Sequence, residues 1–115
     1  MEFVITEFAQ CDLMEISGRV DSYTSPKIKE ALGGLMADGR CKIVLDLKSV
    51  TYLSSSGMLT FINALKQCQQ SEQGKIILAN IPPQILTSLE LAGFNRLFDI
   101  YDDSVSAVNG FEVTP

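Results

Sequence analysis

The chain reads as an α/β domain, a mixed sheet that opens with an antiparallel N-terminal hairpin, continues in βαβ units and is packed by four helices. Two observations predict this. Two short strand-like segments stand side by side at the start, and from residue 25 onward runs with strand character alternate with segments of helical periodicity. At 115 residues the chain is long enough to bury one core, so one domain over 1–115 is the expectation.

Phe3–Phe8 and Leu13–Ser17 are the first two strands, separated by a spacing that suits a hairpin, with Asp12 in the turn. After Gly18, the hydroxyls of Asp21-Ser22-Tyr23-Thr24-Ser25 and then Pro26 mark a helix start, because Ser and Thr cap and proline is tolerated in a first turn. Ile28, Ala31, Leu32, Leu35 and Met36 recur at steps of three and four, and Gly39 is a stop. Gly33-Gly34 works against that helix, at about 1 kcal/mol per glycine relative to alanine.

Lys42–Leu47 is the mostly apolar kind of strand found inside a sheet, followed by a connector. A second helix has Met58, Phe61, Ile62, Leu65 and Cys68 on one stripe and ends before Gly74. Lys75–Asn80 is another central strand. Pro82-Pro83 open a helix with Ile85, Leu86 and Leu89, closed near Gly93; Phe98–Tyr101 is a short last strand, and Ser104 caps a terminal helix. Sequential strands joined through helices are parallel, and ligands or partners then meet the loops beyond their carboxyl ends, here after Leu47 and after Asn80.

Composition excludes several functions. With nine Lys and Arg against fourteen Asp and Glu and no basic run, the net charge of −5 opposes nucleic-acid binding. No 18-residue apolar run is present to span a bilayer, and the acidic N-terminus lacks a signal-like apolar region, which leads to the expectation of a cytoplasmic protein. Cys11, Cys41 and Cys68 are widely spaced and odd in number, so they read as buried, reduced thiols. The chain has no histidine, the commonest general base and metal ligand, and no metal or cofactor is expected.

Ser54-Ser55-Ser56-Gly57 is the most informative segment, three hydroxyls where a strand leads into a helix. Two readings are open. The serines can simply cap the helix, at about 1 kcal/mol for one cap. Alternatively one of them receives a phosphate, which the unpaired N–H groups and positive end of the helix would hold without a dedicated basic residue.

Leu45-Asp46-Leu47, then Val50-Thr51-Tyr52-Leu53, then Ser55-Ser56-Gly57-Met58 resemble, in order and spacing, the STAS domain of bacterial anti-sigma factor antagonists. Gly18-Arg19-Val20-Asp21-Ser22-Tyr23-Thr24 is similar to that family's turn before the first helix, and Leu89–Phe94 to its apolar segment closing on glycine. The resemblance covers nearly the whole chain. It implies a phosphorylation-controlled binding module that is not an enzyme, with Ser55 as phosphoacceptor and Ser56 as second choice. Asp21, Thr24, Ser54, Ser56, Gly57 and Met58 would form the partner surface. The implied partners are an anti-sigma factor that is also a serine kinase of the histidine-kinase-like ATPase type, and a separate serine phosphatase. One position departs from the family pattern: Ser54 stands where an aspartate is usual.

Rival readings fare worse on the residues. A serine nucleophile needs a base, and there is neither histidine nor a Gly-x-Ser-x-Gly elbow. Nucleotide binding lacks a glycine-rich phosphate loop. Asp102-Asp103 could suggest metal or catalysis, but they precede a helix that they can cap. A constitutive scaffold or accessory subunit of a signalling complex or transport ATPase stays within the resemblance, and would present Met58, Leu59 and Phe61 to a partner.

Overall fold

The computed structural model describes residues 1–111, which form a five-stranded sheet in the order β1-β2-β3-β4-β5. The strands are β1 (Glu2–Glu7), β2 (Asp12–Val20), β3 (Lys42–Leu53), β4 (Lys75–Ala79) and β5 (Asp99–Tyr101). The helices are α1 (Ser25–Ala37), α2 (Ser55–Cys68), α3 (Pro83–Leu91) and α4 (Ser104–Asn109), with a 3₁₀ turn at Phe94–Leu97. β1 and β2 pair antiparallel and every later pair is parallel. The mixed sheet, its opening hairpin and the four helices all follow the expectation.

Alternation along the strands divides the apolar residues between two faces. On one, Met14, Ile16, Ile43, Leu45, Leu47, Ile76 and Leu78 pack with Ile28 and Leu32 of α1, Phe61, Ile62 and Leu65 of α2, and Ile85 and Leu89 of α3. On the other, Leu13, Val44, Ile77 and Ala79 meet Ala107 and Val108 of α4 and Phe111. The stripe expected on α2 is buried in full. α1 forms despite its glycine pair, held by Ile28 and Leu32, both completely buried.

Four expectations need correction. β3 does not end at Leu47 but runs to Leu53, so Lys48–Leu53 is strand and no loop follows Leu47. The cause is a pair of register shifts against β2, each placing one extra residue on β3. Such bulges bend a strand, and here Asp46 braces the first by accepting from the Lys48 N–H at 2.9 Å and from Asn80 Nδ2 at 3.0 Å.

Asp12 is not a turn residue. It opens β2 with its side chain 3% exposed, and Arg40 grips it through Nε to Oδ2 at 2.7 Å and Nη2 to Oδ1 at 2.9 Å while also reaching Glu7 at 2.9 Å. α4 is capped by Asp103 and not by Ser104: Asp103 Oδ1 accepts from the Ser106 N–H at 2.7 Å. Met58, expected on the partner surface, is instead a core residue, as Phe61 is on its expected stripe, leaving Leu59 as the exposed apolar residue of that turn.

All three cysteines are free and buried, as expected. Burial pushes the Cys68 thiol up to about 12 and raises Cys11, so these sulfurs stay protonated at neutral pH. Among the described residues, no helix is long and apolar enough to cross a membrane.

Candidate functional site

The length of β3 builds the site. β4 stops at Ala79, opposite Asp46, whereas β3 continues seven residues further alongside β2, as far as the pair Val20 and Leu53. Both chains then leave the sheet together. Asp21 begins the turn into α1 and Ser54 begins α2, tied by a hydrogen bond from the Ser54 N–H to the Val20 carbonyl at 2.9 Å. The two segments singled out in the sequence therefore meet at one corner, while Asn80 lies at the end of the shorter β4.

Ser54 is the N-cap of α2. Its backbone is extended, with φ −80° and ψ 169°, and its Oγ accepts from the Gly57 N–H at 3.1 Å. One of the two open readings is thus settled for Ser54, whose hydroxyl is committed to the helix. Ser55 and Ser56 follow as the first helical residues, and both are exposed. They sit over the unpaired N–H groups of the first turn, where negative charge is favoured by about 0.3–1 kcal/mol.

Gly57 explains how α2 comes so close to β2. A Cβ there would lie 2.7 Å from Leu53 Cδ1, 2.8 Å from Val20 Cγ1 and 3.0 Å from the Val20 carbonyl oxygen. Only glycine lets the helix start rest on the strand end. Gly57→Ala should therefore lower stability by about 1–3 kcal/mol of overpacking, less the gain of about 1 kcal/mol in helix propensity. A urea midpoint equal to that of the native sequence would show that α2 shifts away at no cost.

The opposite wall is a closed hydrogen-bonded turn. Asp21 Oδ1 accepts from the N–H groups of Tyr23 at 2.9 Å and Thr24 at 3.1 Å, while Thr24 Oγ1 accepts from the Asp21 N–H at 2.9 Å and donates to the Arg19 carbonyl at 2.8 Å. Arg19 in turn lies 3.7 Å from Asp21 Oδ2 and stacks over the Tyr52 ring at 4.4 Å. The expected capping hydroxyls work in this reciprocal way: Thr24 is the N-cap residue of α1, but its side chain serves the turn.

Partial desolvation pushes the Asp21 carboxyl up, but the Thr24 and Tyr23 N–H groups, the Thr24 hydroxyl and Arg19 outweigh it and hold its pKa below the ordinary 3.8. A depressed acid contributes stability above its unfolded-state pKa and loses it as pH falls through the folded value. The Asp21 turn should thus stay intact from neutral pH down to about 3.8 and open only below. The Tyr23 and Thr24 amide shifts against pH report this; a transition centred above 3.8 would contradict it.

Of the expected surface residues, Asp21, Thr24, Ser54, Ser55 and Ser56 come together. Gly57 and Met58 are at the same corner but beneath it: Met58 is 6% exposed and belongs to the core. The outer surface is made above all by Tyr23, 91% exposed, and by Tyr52 at 44%, neither of which was singled out for it, together with Leu59 at 50%, which the scaffold reading had presented to a partner. Tyr52 was detectable in principle, since Val50-Thr51-Tyr52 is rich in strand formers and puts its ring beside Arg19 of the neighbouring strand. Among the described residues there is no cluster of acids and cysteines that could hold a metal ion.

The corner offers a hydroxyl-rich helix start, a rigid carboxylate turn and exposed aromatic and aliphatic side chains, the makings of a protein-binding surface. Residues 3–107 match the STAS domain family, and the chain belongs to it. Relatives include the anti-sigma-B factor antagonist of Listeria monocytogenes, 29% identical over 85 residues with 74% of each chain covered. Another is the anti-sigma F factor antagonist of Paenibacillus polymyxa, 26% identical over 88% of this chain and 86% of that one. An anti-sigma factor antagonist from Mycobacterium paratuberculosis has a similar solved structure, with a TM-score of 0.85 at 20% identity over 96% of this chain and 92% of that one.

Proposed function

We propose that this chain is an anti-sigma factor antagonist, a regulatory binding module that sequesters an anti-sigma factor while Ser55 is unmodified and releases it once Ser55 is phosphorylated. The relatives' names support the partner class. The observation that carries the switch is the division of labour in the serine run: Ser54 takes the cap, and Ser55 is left exposed at the first helical position.

Phosphorylation of Ser55 transfers the γ-phosphoryl of ATP to its Oγ, with ADP leaving and the hydroxyl proton lost. The product holds about −1.5 to −2 charges over the positive end of α2. Within the free domain that charge is welcome. Within an interface packed against Ser55 it is an unpaired charge, and association weakens through desolvation and repulsion. In this reading, as the resemblance to the family implies, the partner is both binder and serine kinase, a phosphatase resets the switch, and the domain itself performs no catalysis.

Ser54 in place of an aspartate keeps the cap, because a hydroxyl accepts from the Gly57 N–H as a carboxylate would. What changes is one negative charge beside the phosphoacceptor. The test is the affinity of Ser55→Ala and Ser55→Asp for the purified anti-sigma factor of the same cell. Binding by the first and loss of binding by the second support the reading; equal affinities overturn it.

A further inference from the structure

A groove of about 400 Å³ runs between α1 and α2, starting at Ser22 and Ser56 beside the serine corner and continuing past Ser25, Lys29, Gly33 and Leu59. Three features set it apart. The Ser25 residue is 5% exposed, lines the groove and forms no side-chain hydrogen bond among the described residues. Lys29 lines it too and has no ion pair among the described residues, in a chain of net charge −5. Among the described residues lining the groove Lys29 is the one charged side chain, so the lining carries positive charge on an acidic protein.

The third feature concerns Gly33, which sits mid-helix with an ordinary helical backbone, and a Cβ added there would meet nothing within 4 Å. Nothing inside the chain needs its lack of a side chain, although glycine at such a site costs about 1 kcal/mol. Leu59 adds a half-exposed apolar side chain at the rim.

We propose that this groove docks an acidic, amphipathic segment of the anti-sigma factor, whose carboxylate is received by the Lys29 ammonium and the Ser25 hydroxyl. Its backbone passes over Gly33 and an apolar side chain packs on Leu59. The inference rests on the reading of the chain as an antagonist and extends it. It also gives the switch an electrostatic partner: Ser56 lines the groove and Ser55 precedes it, so a phosphate placed there confronts the incoming carboxylate at the groove mouth.

The experiment is calorimetric titration of the full-length chain with the purified anti-sigma factor, comparing Lys29→Glu, Gly33→Leu, Lys66→Glu and Ser55→Asp. Lys29→Glu and Gly33→Leu should each weaken binding at least about tenfold, equivalent to about 1.4 kcal/mol. Lys66→Glu, the same charge change outside the groove, should leave it unchanged. Thermal melts provide the folding control, and Gly33→Leu should not lower the melting temperature because leucine favours helix.

If Lys29→Glu and Gly33→Leu bind like the native chain while Ser55→Asp does not, the groove proposal falls and the antagonist reading stands. If the native chain shows no binding, both fall. If it sediments as a dimer that Gly33→Leu dissociates without altering partner affinity, the groove belongs to a second copy and the proposal is overturned.

Discussion

Ser55→Asp is expected to reduce affinity for the anti-sigma factor by roughly 30-fold to several thousand-fold, the equivalent of the 2–5 kcal/mol that an unpaired charge costs within an interface. The same substitution should leave the free domain as stable as before or slightly more so, since a carboxylate in the first turn of α2 interacts favourably with the helix N-terminus by about 0.3–1 kcal/mol. That opposite sign separates a blocked interface from a damaged fold. Ser55→Ala removes only an exposed hydroxyl and should bind like the native chain, because the cap hydrogen bond belongs to Ser54. Calorimetry and thermal melting on the three proteins check both halves; a Ser55→Asp protein that binds normally removes the switch.

Arg40→Met should lower the urea midpoint of unfolding, because it strips an enclosed carboxylate of its main partner. The guanidinium satisfies both oxygens of an Asp12 carboxylate that is almost wholly enclosed, and also ties in Glu7 at the end of β1. Without it Asp12 remains buried with its main partner gone. The double substitution Asp12→Leu with Arg40→Met should recover much of the loss, because an apolar pair avoids the desolvation penalty that the ion pair must offset. Urea unfolding measures both. An Arg40→Met midpoint equal to the native one would mean that water already reaches Asp12. The pair lies at the amino-terminal end of β2, so neither change should alter partner binding by the protein that remains folded.

The elements that were legible in the sequence are those with unbroken periodicity. The α2 stripe and the central runs Ile43–Leu47 and Ile76–Ala79 are buried as read. The second half of β3 was not legible, because its two bulges leave Leu47, Val50 and Leu53 buried at intervals of three with exposed pairs between them, a pattern that imitates no strand. Asp12 looked like a turn residue because its partner is 28 positions away, beyond any local rule.

The site was half legible. The serine run and the Asp21 turn stood out through their hydroxyls and through their likeness to the STAS pattern, but their meeting depends on β2 and β3 being neighbours that end level, at the pair Val20 and Leu53. Gly57 could be recognised as part of a motif, whereas its reason, the approach of α2 to Val20, exists only in three dimensions. The exposure of Tyr23 and the burial of Ser25, with no side-chain hydrogen bond among the described residues, had no counterpart in the sequence, since neither follows from spacing.

The most direct measurement is phosphopeptide mapping after incubation of the chain with its purified anti-sigma factor and ATP, on the native sequence, Ser55→Ala and Ser56→Ala. The account expects one phosphate on Ser55 in the native chain and in Ser56→Ala, and none in Ser55→Ala. Phosphate that persists in Ser55→Ala, or that never forms on any of Ser54, Ser55 and Ser56, would contradict it and point to a domain that binds constitutively.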